Sequence, residues 1–374
     1  LLSWVGTYGQ IPEARFVYAA WLSANGPIDA ISEPLLSWVG TYGQTPDASF
    51  FYVAWLDSKG PIDAVSEPLL SWVGTYGQTR EAQFIYAAWL NAKGPIDAVS
   101  EPLLSWVGTY GQTPEAQFVY AAWLNAKGTI KAVSEPLLDW VAEHGTDLAA
   151  SYLYRAWFNR AADIEALQYQ IFAWLVRWHG EPDAAFVTRH LCKRHDLPEN
   201  VILAIARWSA TFADHDDSLD RLATLLAHAH ADTLSDAGFL KLIAWTEDVV
   251  VARVSQGRLS EIDRSRTWAI LASLATGALF LANPYGCLRS VAVAIRSDKI
   301  FSLGLDVNGA DFLHRTYERM LNAAVLALRW GELSIDADAE ALRNFVAWLR
   351  AAEPQMDGWE RLLPISDTDV RSRW

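Results

Sequence analysis

Eleven tryptophans in this chain fall at positions 4, 21, 38, 55, 72, 89, 106, 123, 140, 157 and 174, each 17 residues after the last. Glycine keeps the same interval at 9, 26, 43, 60, 77, 94, 111, 128 and 145. The full pattern returns at twice that step, 34 residues. Units 69–102 and 103–136 differ at only four places: Arg80/Pro114, Ile85/Val119, Pro95/Thr129 and Asp97/Lys131. The units 1–34 and 35–68 are near copies of these. Unit 137–170 is diverged but keeps Trp140, Gly145 and Trp157, and the next two units keep Trp174 and Trp208. A fixed period of this length is the mark of a repeat architecture.

The half-period identifies the unit. In residues 113–128, Ala116, Val119, Tyr120, Trp123 and Leu124 follow helical spacing. Thr113 is placed to cap this helix, Pro114 suits its first turn, and Gly128 suits a left-handed stop. In residues 95–111, Ile96, Val99, Leu103, Trp106, Val107 and Tyr110 share another helical face, ended by Gly111. Each unit is therefore two short helices. Pro34, Pro68, Pro102 and Pro136 interrupt the first of them. Either that helix starts at Ser-Glu-Pro, with Ser as the cap, or it starts earlier and the proline kinks it; the longer, kinked helix is the expectation. The later unit has Gln170 at this place and reads as an unbroken helix. Hairpins of this size cannot bury their apolar faces alone, so neighbours stack. The tryptophans are the expected inter-helix wedges, offering a large rigid area at low entropic cost.

Two helices in 34 residues resemble the tetratricopeptide repeat. The stretch Gly111-Gln-Thr-Pro-Glu115-Ala116, with Trp123 and Gly128, also resembles the second-helix start of the pentatricopeptide repeat, and the pattern recurs at Gly9/Glu13/Ala14/Trp21/Gly26 and Gly77/Glu81/Ala82/Trp89/Gly94. The resemblance covers units one to four well and the last third not at all. Leu104 stands where the tetratricopeptide pattern has a small residue, and the helix proline is foreign to both families. What the resemblance implies is architecture and a binding role. The expected fold class is all-α: a right-handed α-solenoid of 34-residue helix-turn-helix repeats over 1–238, followed by an irregular helical cap over 239–374.

Two surfaces are candidates for a ligand. Among the near copies, much of the variation falls at Ile11/Thr45/Thr79/Thr113, Pro12/Pro46/Arg80/Pro114, Arg15/Ser49/Gln83/Gln117, Ala19/Val53/Ala87/Ala121 and Ser23/Asp57/Asn91/Asn125. These steps are mostly four residues and trace one face of the second helix: either exposed positions drifting after duplication, or a recognition face. On the first helix, Asp29 and Glu33, repeated as Asp63 and Glu67 and as Asp97 and Glu101, with Glu135 further on, share a face with Ser37/Thr41, Ser71/Thr75 and Ser105/Thr109. Stacking would line them into acidic rows facing a groove, suited to a basic partner segment.

Charge sharpens the choice of partner. Residues 1–238 carry 14 Lys+Arg and 27 Asp+Glu (14 − 27 = −13), and residues 239–374 carry 16 and 17 (16 − 17 = −1), together the net −14 of the chain. Pentatricopeptide arrays read RNA, but nucleic-acid binding needs a basic footprint, and here the repeats are the acidic part. No nucleic-acid role is expected. Hydrophobic residues make up 52% and mean hydropathy is +0.07, which excludes a disordered tail. The longest apolar run, Thr267 to Ala282, is shorter than the roughly 20 residues of a membrane span and reads as a buried helix.

Chemistry is sparse. No P-loop, dinucleotide fingerprint, HExxH or nucleophile elbow occurs, and no cofactor is implied. Two cysteines, Cys192 and Cys287, exclude a disulfide framework and suit a reducing, cytoplasmic compartment. Six of the eight histidines lie between 179 and 230. Within the His190–Asp232 stretch, His195 and the pair His228/His230 fall about one period apart and could meet across a stack. A metal-dependent enzyme there is the remotest reading. The spacing matches no standard zinc motif, and histidine is favoured at helix C-termini anyway. In the last third, helices are expected near 236–254, 260–282, 287–301, 308–330 and 337–352, with turns at Asn283-Pro284-Tyr285-Gly286 and Asp306–Gly309 and a cap at Asp311. Leu1-Leu2-Ser3-Trp4 opens in the middle of a helix pair, so the chain is expected to be a fragment of a longer array. The expected function is a non-catalytic scaffold that binds a protein or peptide, such as the sensor arm of a multidomain protein. The alternative is a module that stacks end to end into filaments.

Overall fold

A computed structural model describes residues 2–160, 164–228 and 233–255, with isolated helical positions up to 274. Helices and turns account for the described residues; no strand occurs among them. The chain divides into two compact units, Leu1–Arg177 and Trp178–Trp374. Position 238, where the sequence period is lost, lies within the second. No helix among the described residues is long and apolar enough to cross a membrane. The run 267–282, the turns at 283–286 and 306–309, Asp311, and the helices expected from 260 onward lie outside the described residues, or nearly so.

In the first unit helices alternate in pairs. The first helices are α1 (Leu2–Tyr8), α3 (Ser32–Tyr42), α5 (Ser66–Tyr76), α7 (Ser100–Tyr110), α9 (Ile130–His144) and α11 (Gln168–Trp178). The second helices are α2 (Ala14–Ser23), α4 (Ala48–Asp57), α6 (Ala82–Asn91), α8 (Ala116–Asn125) and α10 (Ser151–Asn159). The second helices pack side by side, each against the next. Most of the core is what the spacing predicted, but Ile96, in the 3-10 turn before the helix, and Tyr110, at the end of α7, are only half-buried. Ala116, Val119, Tyr120, Trp123 and Leu124 are buried, as are Val99, Leu103, Trp106 and Val107. Trp38, Trp55, Trp72, Trp89, Trp106, Trp140 and Trp174 rank among the largest fully buried side chains.

The wedges also tie the units together. Trp38, Trp72, Trp106, Trp140 and Trp174 donate Nε1–H to the backbone oxygens of Ile11, Thr45, Thr79, Thr113 and Asp147, at 2.8–2.9 Å and always 27 residues back. Tryptophans of the second helices bond instead to the loop that follows, Trp21 to Pro27, Trp55 to Pro61, Trp89 to Pro95 and Trp123 to Thr129. Tyr18, Tyr52, Tyr86, Tyr120 and Tyr154 close each pair, donating to Gly9, Gly43, Gly77, Gly111 and Gly145 oxygens. The polar tips of these particular tryptophans and tyrosines thus find partners, as burial requires.

Three local expectations are corrected. The long kinked first helix is not formed in the near copies: α3, α5 and α7 begin at the serine itself, so each proline lies in the first turn, where its missing N–H costs nothing. Ile31, Val65 and Val99 precede the helix in the cap position, without a side-chain cap bond. The residues before them, Ile28–Ala30, Ile62–Ala64 and Ile96–Ala98, form 3-10 turns. Only α9 runs long, with Pro136 inside it; there Lys131 replaces the aspartate of the other copies, a better helix former. In the later unit a 3-10 stretch, Ile164–Leu167, leads directly into α11.

Second, Thr113 caps nothing. Helix α8 begins at Ala116 behind Glu115, and the Thr113 hydroxyl bonds back to Tyr110. Third, the left-handed residue after α2, α4, α6 and α8 is the one before the glycine: Asn25, Lys59, Lys93 and Lys127, with φ of 54°, 61°, 66° and 66°. The glycine is needed for proximity instead. A Cβ on Gly60 would lie 2.4 Å from the Trp55 ring, and one on Gly43 would lie 2.4 Å from the Val39 oxygen.

In the second unit, α12 (Ala184–Leu191), α13 (Glu199–Thr211), α14 (Ser218–His228) and α15 (Asp236–Ser255) follow, with α13 packing against α12, α14 and α15. Buried Trp208 lies under Arg221, whose Cζ sits 4.1 Å from the ring and whose guanidinium also bonds Thr188 and Asp217.

Candidate partner-binding surface

The acidic residues do not all share the first helices as expected: Glu33, Glu67, Glu101 and Glu135 lie in them, whereas Asp29, Asp63 and Asp97 lie in the 3-10 turns just before. Asp29, Glu33, Asp63, Glu67, Asp97, Glu101 and Glu135 are all exposed, and none forms an ion pair among the described residues. Each pair stands where the 3-10 turn meets the helix start, so its charge also complements the positive helix end. The hydroxyls expected to share this face have other work. Ser37, Ser71 and Ser105 donate to the side-chain oxygens of Gln10, Gln44 and Gln78, and Thr41, Thr75 and Thr109 bond back to those serines' carbonyls. The same glutamines, with Gln112, reach the backbone oxygens of Pro34, Pro68, Pro102 and Pro136 at 2.8–2.9 Å. The serine row is therefore an inter-unit tie, and only the carboxylates face outward unpaired.

The variable positions of the second helix do not form one surface. Ser23, Asp57, Asn91 and Asn125 are exposed, as is Arg80. Although its side chain reaches solvent, partial desolvation by its neighbours raises the Asp57 carboxyl from its ordinary value. Ser49, Gln83 and Gln117, in contrast, are buried in the seam between successive second helices, and the side-chain oxygens of Gln83 and Gln117 have no hydrogen-bond partner there. Arg15, at the equivalent place in the first unit, reaches across the seam to Asp47, with Nη2 2.9 Å from the carboxylate. Arg80 makes the next inter-unit bridge, holding both oxygens of Glu115 at 3.0 Å. The Glu115 carboxyl is drawn below its ordinary value by a hydrogen bond from its own backbone and then by the Arg80 guanidinium.

Between these positions lies a feature that periodicity alone passes over. Phe16, Phe50, Phe84, Phe118 and Tyr152 stand one unit apart and are between 42% and 65% exposed. Each is two residues from the buried alanine and two from the buried tyrosine of its helix, so it points away from the core stripe. The signal was available as an aromatic off the apolar face, still present in the diverged unit as Tyr152. Phe118 and Tyr152 are in ring contact, with centroids 5.7 Å apart.

The histidine stretch is partly assembled. His195 and His228 do meet, with ring centroids 4.9 Å apart and His195 Nδ1 3.0 Å from the His228 oxygen. His190 bonds the Phe186 oxygen and His215 packs edge-on against Trp208. His230 and Asp232 lie outside the described residues. Among the described residues no three His, Cys, Asp or Glu side chains are grouped to hold a metal ion. Cys192 is buried, which pushes its thiol up to about 11 and away from nucleophilic use.

No protein-family model, no curated protein and no solved structure matches this chain.

Proposed function

We propose that this chain is a non-catalytic helical-repeat scaffold that binds a basic protein or peptide. The observation that carries the reading is the set of seven exposed carboxylates, Asp29 to Glu135, recurring from repeat to repeat without ionic partners among the described residues. Like charges repeated at short intervals repel one another, and a cationic segment laid along them relieves that repulsion. The helix pairs are proposed to wind as a right-handed α-solenoid with a 34-residue repeat, the rows lining its groove. A place as the sensor arm of a larger cytoplasmic protein fits this reading.

The test is isothermal titration with an oligo-lysine peptide at several salt concentrations, on the native chain and on a variant carrying Asp63→Asn, Glu67→Gln, Asp97→Asn and Glu101→Gln. Binding that weakens as salt rises and falls in the variant supports the reading. Absent or salt-independent binding overturns it.

A further inference from the structure

The aromatic ladder on the second helices contains its own worked example of what it binds. In the first unit the Arg15 guanidinium lies over the Phe16 ring, 4.5 Å from its centroid, while bonded to Asp47 of the next unit. One cation is thus held between an aromatic face and a carboxylate supplied by the neighbouring helix. One unit further on, the ring and the carboxylate return as Phe50 and Glu81, but Ser49 replaces the arginine. Phe50 is the most exposed ring of the ladder, and Glu81 is exposed with no ion pair among the described residues. The third unit differs again, because Arg80 already engages Glu115, and the fourth has Ala149 where the carboxylate would stand.

We infer that Phe50 and Glu81 form a binding site for an arginine side chain of a partner peptide, seated as Arg15 is seated on Phe16 and Asp47. Guanidinium suits the site better than ammonium because its plane stacks on the ring while its edge donates to the carboxylate. Phe84, Phe118 and Tyr152 continue the ridge and offer apolar contact to the residues beyond that arginine. The inference names a second contact for the basic partner proposed above and rests on that reading. It adds a preference for arginine that the acidic rows alone do not give.

The test is fluorescence anisotropy of dye-labelled oligo-arginine and oligo-lysine peptides with the whole chain. The variants are Phe50→Ala, Glu81→Gln and Ser49→Arg, with circular dichroism to verify folding. Ser49→Arg rebuilds the arrangement of the first unit inside the chain and fills the site from within. Tighter binding of oligo-arginine, with each variant weakening it about tenfold toward the oligo-lysine level, is the expected result. Equal affinity for the two peptides, or oligo-arginine binding unchanged by Ser49→Arg and Phe50→Ala but lost in the Asp63/Glu67/Asp97/Glu101 variant, overturns this site while leaving the scaffold reading standing. Failure of both peptides to bind the native chain overturns both.

Discussion

The indole nitrogen of Trp72 donates to the backbone oxygen of Thr45, 2.8 Å away and 27 residues earlier in the chain. A side chain that fills the core of one unit thereby also holds the loop of the unit before it. Removing the N–H leaves that carbonyl without its partner, and shrinking the ring leaves a void. Trp72→Phe should therefore lower stability by about 2–4 kcal/mol. Phe50→Ala, on the exposed ridge, should cost at most about 1 kcal/mol. Urea unfolding followed by far-ultraviolet circular dichroism measures both; equal losses would show that the indole bond contributes nothing.

The glycines divide into two kinds that stability measurements separate. A Cβ on Gly40, Gly74 or Gly108 meets nothing within 4 Å, and all three lie inside first helices. Alanine there should stabilise by roughly 0.5–1 kcal/mol per site, through helix propensity and reduced freedom of the unfolded chain. Gly60→Ala instead drives a methyl into the Trp55 ring and should destabilise by about 1–3 kcal/mol. Thermal melting of Gly74→Ala and Gly60→Ala should move in opposite directions.

These contrasts mark how far the sequence could be read. Period and helical spacing found the buried faces around Trp106 and Trp123 because burial of a large side chain is enforced at every copy. They misplaced the left-handed residue. Glycine at 60, 94 and 128 satisfies the usual rule for a helix stop, yet it is there to let the tryptophan ring approach, while the lysine before it takes the strained backbone. They also assigned Ser37 and Ser71 to an open groove, because the glutamine of the preceding unit that captures each hydroxyl is 27 residues away. The exposure of the seven carboxylates was legible because charge avoids burial whatever the local structure, although the aspartates stand in 3-10 turns and not on the helix. The ring of Phe50 with Glu81 was not, since it joins two helices.

Lys93 adopts a φ of 66° at the end of α6, a conformation that costs a side-chain-bearing residue roughly 1 kcal/mol. Its amide still closes the helix by bonding to Leu90. Lys93→Gly should relieve that strain and raise the melting temperature, whereas Lys93→Val should lower it because a β-branched residue tolerates this region least. Melting of the two variants side by side gives the sign; a lower temperature for the glycine variant would show that the lysine side chain contributes more than its backbone strain costs.

Alkaline pH should unfold the array through its own interior. Tyr18, Tyr52, Tyr86, Tyr120 and Tyr154 each donate their hydroxyl to a glycine oxygen, and burial raises every one of these phenols above its ordinary value. In the unfolded chain they ionise near about 10. Below that pH both states hold the proton, so these groups leave stability independent of pH. Above it the unfolded state releases protons that the folded state retains, and stability falls as pH rises. Melting temperature should therefore decline steeply beyond about pH 10, and absorbance of tyrosinate should show five phenols that ionise only as the helices melt. Tyr154→Phe removes one of them, at the cost of the 2.6 Å bond to Gly145, and should shallow the alkaline slope. An unchanged slope in that variant would show that the buried phenols are not what the alkaline transition titrates.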